Sequence, residues 1–272
     1  MKSGNPAIQD AAATQAVLYS VEAGIATVTI NRPEKRNSLS VDATNGLYDI
    51  WEQVDARADV RVAILTSADC GTFCAGLDLK EAARIKAEQG VDILSLMRDP
   101  FHQRMRKVRK PIIAAMTGHL IAGGMMLSLN CDIRVGLAGT KVGITETKIA
   151  GRGSPWAVPL LWMLPQPFYM EMVLTGELYP IQRFLELGFI NYVEDSADAV
   201  RARARALAES IRDNAPLSVM AGKEYILTSM SVGCDLGLEF ANRIYREVYA
   251  SEDAQEGPRA FAEGRKPVWK GR

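Results

Sequence analysis

Phe73-Cys74-Ala75-Gly76-Leu77-Asp78-Leu79-Lys80 and, further along, Thr117-Gly118-His119-Leu120-Ile121-Ala122-Gly123-Gly124 are the two stretches whose reading decides the fold. Each is a glycine-marked break directly after an apolar, strand-like run: residues 62–66 before the first, 111–115 before the second. Short apolar runs without alternation mark strands buried on both faces of a parallel sheet. Two such loops meeting at a shared site present backbone N–H groups that can hold one developing negative oxygen between them. No short nucleophile or metal motif competes with them.

Upstream, residues 17–21 and 25–30 read as strands closing on Glu22-Ala23-Gly24, a hairpin signal, and residues 1–16 as a loose polar leader. Asn31-Arg32-Pro33-Glu34-Lys35-Arg36-Asn37 is a polar turn. Ser40 is a good N-cap for a helix carrying Leu47, Ile50, Trp51 and Val54 on one face. The loop at Gly76 leads into a helix near 79–87, and a short helix over 125–129 starts directly on the second loop. Residues 132–135 and 141–143 complete the strand set, and the alternation predicts an α/β fold with parallel character.

From Pro155 onward the pattern is helical. Val200, Ala204, Leu207, Ala208 and Ile211 form an apolar stripe, with Arg201, Arg203, Arg205 and Arg212 largely on the solvated side. Further helices are expected over 216–229, 235–249 and 252–264. The division between core and helical tail falls near 190–215. It is taken as a core over 17–200 and a helical region over 201–272 that docks on the core or on a neighbouring subunit.

A chain of 272 residues with 48% hydrophobic content buries one large core. Its 32 basic and 32 acidic residues cancel, which argues against a nucleic-acid groove. The cluster Arg104, Arg106, Lys107, Arg109 and Lys110 reads as a solvated helix face, with phosphate binding as the competing reading. Cys70, Cys74, Cys131 and Cys234 lack paired metal spacing, and two histidines leave no zinc set, so no metal is expected. Free thiols fit a reducing compartment. The N-terminus shows no basic region followed by an apolar run, and the apolar segment 157–164 is too short to span a bilayer. The expectation is a cytoplasmic protein that engages neither nucleic acid nor membrane.

With both loops in place, the chain resembles the enoyl-CoA hydratase/isomerase (crotonase) superfamily. The matching pieces are Asn31-Arg32-Pro33 with Asn37, both loops through Leu127, Lys110-Pro111-Ile112-Ile113-Ala114-Ala115 and Cys131-Asp132-Ile133-Arg134. Leu174-Thr175-Gly176, Glu256-Gly257 and Arg265-Lys266-Pro267 extend the ordered set over residues 17–270. The resemblance implies a crotonase-like spiral of repeated strand-strand-helix (ββα) turns with a C-terminal helical region. It also implies a homotrimer or dimer of trimers, with residues 201–272 in docking and trimerisation. An acyl-CoA thioester would be the substrate, with no cofactor besides that coenzyme A group. The thioester oxygen would be held by the N–H groups of Leu77 and Gly123, which stabilise an enolate more than a ground-state carbonyl, with the dipole of the short helix near Gly124 adding to them.

Hydratases of this family use two glutamates, one three residues after the oxyanion glycine and one twenty further on. The first position here is Met126, the second Glu146. A thioether cannot activate water, so one carboxylate of the pair remains. The broad class implied is enoyl-CoA hydration. Double-bond isomerisation with Glu146 as sole base is the alternative that Met126 favours. A racemase or hydrolase on the same enolate pocket, and a catalytically weak CoA-binding protein, are the further branches.

Ser154 follows Gly153 where many relatives have proline-glycine. It is a candidate water-binding group, or the N-cap of a helix opening at Pro155. Trp156, Trp162, Met163 and Phe168 read as acyl-pocket wall or core, and Met125 and Met126 as an adaptable floor. His119 reads as a packed, hydrogen-bonded histidine and Asp78 as a cap for its loop. Coenzyme A contacts are assigned to Arg32, Lys35, Ala75, Lys80 and Lys266, with solvated surface as the competing reading for the four cations.

Overall fold

The computed structural model describes residues 15–150, 153–232 and 234–272. The expected leader over 1–16 lies outside the described residues except at its end. There Ala16 is buried and its carbonyl accepts the Asn31 N–H at 2.8 Å. β1 (Val17–Glu22) and β2 (Ile25–Ile30) form the expected antiparallel hairpin. Its two turn residues, Ala23 and Gly24, both have positive φ (47° and 79°), the backbone hand that matches strand twist.

After a 3₁₀ turn at Pro33–Lys35 comes α1 (Val41–Ala56), whose N-cap Ser40 accepts from the Ala43 N–H and whose buried face carries Leu47, Ile50, Trp51 and Val54. From there the chain winds as a spiral that places one strand in each of two sheets per turn. The first turn is β3 (Val62–Ser67), β4 (Thr72–Cys74) and α2 (Leu79–Gln89). A connection through a 3₁₀ turn at Ile93–Leu96 and α3 (Gln103–Lys107) leads to β5 (Ile112–Met116), β6 (His119–Ile121) and α4 (Gly123–Leu129). β7 (Ile133–Leu137) and β8 (Lys141–Gly143) open the next turn, followed by a π-helical turn at Glu146–Ala150 and a 3₁₀ segment at Pro155–Trp162.

The rest of the chain is not wholly helical, contrary to the sequence reading. α5 (Gln166–Thr175) precedes β9 (Tyr179–Pro180), and α6 (Ile181–Glu186) precedes β10 (Tyr192–Glu194). These two strands finish the sheets, of order β1-β2-β3-β5-β7-β10 and β4-β6-β8-β9. Pairing is parallel from β2 to β10 in the first and from β4 to β8 in the second. The expected α/β spiral is therefore present.

α7 (Ala197–Arg212) lays Val200, Ala204 and Ala208 on Ile25, Ile64, Ile113 and Val135 of the first sheet. Its arginines face outward into ion pairs with Asp69, Glu194, Glu209 and Asp213. The division expected at 200/201 thus falls inside a helix that covers the core. The helices beyond the sheets are α8 (Pro216–Val232), α9 (Cys234–Ala250) and α10 (Glu252–Ala262). α8 is fastened to the core by Lys223, which donates to Asp132 Oδ2 at 2.7 Å and to the Lys110 carbonyl at 3.1 Å. The tail after α10 returns to the end of α7, where the Trp269 indole donates to the Asp213 carbonyl at 2.8 Å. No helix among the described residues is long and apolar enough to cross a membrane.

The basic cluster at 104–110 is a solvated face only in part: Lys107 and Arg109 are exposed, but Arg104 and Lys110 are engaged. Arg104 pairs with Glu52 and Asp55, and the Lys110 ammonium is turned inward onto the carbonyls of Val54 and Arg57. Carbonyls left open at the C-terminal end of α1 supply that demand for a cation.

Candidate active site

The first glycine loop leaves β4 through Gly76, whose φ of +86° is a left-handed geometry that suits glycine. Residues 36–39 run alongside it. The Ala75 N–H donates to the Arg36 carbonyl, the Leu39 N–H to the Gly76 carbonyl and the Asp78 N–H to the Leu39 carbonyl. Among the described residues the Leu77 N–H is left without a backbone acceptor. The bracing strip is itself held by Asn37, buried at a φ of 53°, whose side chain donates to the carbonyls of Ala68 and Thr72 at 2.8 Å and accepts the Arg32 N–H at 3.0 Å.

Arg32, expected at coenzyme A, is engaged within this frame. Its guanidinium donates to the Ser38 carbonyl and pairs with Asp78 Oδ2 at 2.9 Å. Asp78 is the expected cap, its other oxygen accepting the Glu81 N–H at the start of α2. Burial pushes the Asp78 carboxyl up, but the Glu81 amide and the Arg32 guanidinium together hold it below the usual carboxylate range.

The second loop passes through Ala122, which has a φ of 51° and ψ of −110°, a sparsely populated geometry for a residue with a Cβ. Its strain is held by two hydrogen bonds: the Ala122 N–H donates to the Gly143 carbonyl, and its carbonyl accepts from Met126. The glycines that follow are demanded by close approach. A Cβ on Gly124 would lie 2.3 Å from the Cys74 carbonyl oxygen, and one on Gly123 would lie 3.0 Å from Gly76 Cα. The loops therefore touch, and the Gly123 N–H, at the first position of α4, is also without a backbone acceptor among the described residues. Burial pushes the Cys74 thiol up to about 12, so it stays protonated and inert beside the loops.

Both loops line one cavity of about 150 Å³, together with Met126, Glu146 and Trp156. Glu146 opens the π-helical turn after β8, a local widening of the helix that recurs at functional sites. Burial raises its carboxyl above the usual glutamate range. Its Oε2 is buried and has no partner among the described residues. Leu94, Met97 and Phe101, from the segment between α2 and α3, close the cavity, and Glu146 is the sole ionisable side chain in the lining among the described residues. Two unengaged amides plus one unpaired carboxylate oxygen, in an apolar cavity, are the parts needed to stabilise an oxyanion while moving a proton at a neighbouring carbon.

Leu77, Ala75, Gly123 and Glu146 are thus brought together on one cavity. Ser154 is not in its lining. It stands at the N-cap position of the 3₁₀ segment, as the alternative reading had it, yet makes no side-chain cap bond. Lys35 and Lys80 are exposed near the first loop, while Lys266 lies beside Asp213, away from the cavity. His119 is packed as expected, its Nδ1 accepting the Lys141 N–H at 2.9 Å. Trp156, read as pocket wall or core, lines the cavity. Sequence reasoning missed the brace that Asn37 supplies to the first loop.

A sequence profile of the family described as enoyl-CoA hydratase/isomerase matches residues 20–272. The (E)-benzylidenesuccinyl-CoA hydratase of Thauera aromatica is 35% identical over 265 residues, covering 94% of this chain and 99% of that protein. Enoyl-CoA hydratase EchA19 of Mycobacterium tuberculosis is 35% identical over 249 residues, covering 90% and 92%. Among solved structures, an enoyl-CoA hydratase from Bacillus anthracis superposes with a TM-score of 0.88 at 32% identity, covering 95% of this chain and all of that one.

Proposed function

The chain belongs to the enoyl-CoA hydratase/isomerase family, and from that premise we propose that it adds water across the double bond of a 2-enoyl-CoA thioester whose acyl group is uncharged and apolar, with Glu146 as the one proton-transferring side chain. The observation that carries the reading is the unpaired Glu146 oxygen on the same cavity as the unengaged amides of Leu77 and Gly123. The thioester oxygen accepts from both amides. Glu146 takes a proton from water, whose oxygen bonds to the β-carbon as the electron pair of the double bond moves to the thioester oxygen. The protonated Glu146 then returns that proton to the α-carbon, the thioester carbonyl reforms and the carboxylate is restored. Burial suits a group that must act in turn as base and acid, because it brings the two protonation states closer in energy at neutral pH.

Met126 favours a second reading, double-bond migration. With a thioether in place of the other family glutamate, a single carboxylate can remove a proton from one carbon and return it to another without water. The two are separated by incubating the protein with 2-enoyl and 3-enoyl thioesters in ¹⁸O-water. Label in a 3-hydroxyacyl product supports hydration; positional isomers without label support migration and overturn the first reading.

Lys35 and Lys80 are placed on the coenzyme A phosphates and Ala75 against the thioester. Lys266 serves a ligand on a neighbouring protomer, and Ser154 orders water at the cavity mouth. A homotrimer or dimer of trimers is supported by the outward apolar side chains Val158, Leu161, Trp162 and Leu174. The unpaired thiols of Cys70, Cys74 and Cys131 fit the cytoplasm.

A further inference from the structure

We propose that Phe101 and Trp156 are the residues that limit acyl length, so that the substrate is a short 2-enoyl thioester of about four to six acyl carbons. This rests on the thioester reading above. The oxyanion loops and Glu146 line a cavity of about 150 Å³. An apolar cavity of roughly that size holds about one benzene ring. The thioester carbonyl with its α- and β-carbons fills most of such a space, leaving room for about two further carbons.

Beyond this cavity lies a second, of about 560 Å³. Among the described residues the two have only Phe101 and Trp156 in common. The second cavity is lined further by Pro159, Leu227 and Thr228, with the cations Arg106 and Lys107. The two shared residues come from separate elements and are held independently. Phe101 packs against the main core, and its carbonyl accepts the Asn130 side-chain amide at 3.3 Å. Trp156 is 9% exposed and sits between Pro155 and Pro159 in the 3₁₀ segment. Its neighbour Ala157 is tied on both sides: the N–H donates to the Ser154 carbonyl at 2.9 Å, and the carbonyl accepts the Tyr169 hydroxyl at 3.0 Å. A longer chain passes only if a packed aromatic ring is displaced. The pair is therefore a stop, and the second cavity is closed to the substrate.

The test measures calorimetric binding of saturated butyryl-, hexanoyl- and decanoyl-CoA to the wild type and to Phe101→Ala. Each methylene seated in apolar surroundings contributes about fourfold in affinity. The wild type should gain from butyryl to hexanoyl and stay within about threefold from hexanoyl to decanoyl. In Phe101→Ala the cavities merge, and decanoyl-CoA should bind about tenfold or more tightly than hexanoyl-CoA. Adding Thr228→Trp to that variant refills the second cavity and should abolish the gain. A gain that survives it, or a folded Phe101→Ala with the wild-type profile, overturns the proposal. So does a wild type that itself gains about tenfold from hexanoyl to decanoyl, a result that depends on no variant's folding. Hydration of crotonyl-CoA is followed separately. Absent turnover beside an intact break in binding removes the hydratase reading and leaves this one. Wild-type turnover of 2-decenoyl-CoA as efficient as that of crotonyl-CoA removes this one and leaves the other.

Discussion

Replacing Gly76 by alanine tests whether the two loops are set by each other. The residue has a φ of +86°, and a Cβ there would lie 2.9 Å from Ala122 Cβ and 3.1 Å from the Gly123 nitrogen. Left-handed geometry alone costs an alanine about 1–2 kcal/mol. The contacts fall short of the 3.4–4 Å of ordinary packing, so the loops must separate by several tenths of an ångström. Ala122 is already in a strained conformation, which leaves the second loop little freedom to give. The expected loss of stability is about 2–3 kcal/mol, lowering Tm by roughly 4–12 °C. Displacing one oxyanion donor should also lower kcat by about 10²–10³-fold. Gly71→Ala is the control, because Gly71 has a similar φ (+74°) but nothing within 4 Å of the added methyl. It should lose stability and keep its kcat. The assay is turnover of a 2-enoyl thioester beside thermal melts of both variants. Wild-type kcat in Gly76→Ala, or equal catalytic damage in Gly71→Ala, refutes the reasoning.

Met126→Glu restores the second family carboxylate and should raise hydration, with thioester affinity within about threefold. A fall in activity means that the cavity is shaped around the thioether and a buried unpaired carboxylate outweighs its benefit. His102 is buried with a φ of 49° and an unpartnered Nε2, and burial lowers its pKa to about 4 against the opposing charge of Asp99. The unfolded imidazole takes up its proton near pH 6.5 and the folded one only near 4, so stability is lost as pH falls through that window. His102→Asn, which tolerates the backbone geometry, should flatten the dependence of Tm on pH there; an unchanged slope contradicts this.

Features fixed by neighbours in sequence were legible. The Ala23-Gly24 turn, the Ser40 and Asp78 caps and the apolar stripe of α7 all stand where local chemistry puts them. The glycine loops were legible because close approach and positive φ exclude side chains. Apart from β8, the second sheet was not. β4, β6 and β9, like β10 at the edge of the first sheet, are two or three residues long, too short to show a period, and their pairing partners lie far away in sequence. The frame built by Asn37 and Arg32 was invisible for the same reason: the side chain of Asn37 bonds residues beyond β3, and Arg32 reaches across to Asp78. The resemblance pointed to Glu146. That its carboxylate stands on the cavity depends on a π-helical turn that no residue pattern announces.

Glu146→Gln, followed by exchange of substrate α and γ protons with deuterated solvent, tests the central claim most directly. The amide keeps the size and hydrogen-bonding shape of the carboxylate and loses its basicity. With 2-enoyl- and 3-enoyl-CoA, the wild type should exchange, and the variant should do so about 10²–10⁴-fold more slowly. Thioester binding should be retained, because the oxyanion donors are backbone amides. Exchange in the variant within about twofold of wild type, far short of the loss expected for a general base, would contradict the assignment of Glu146.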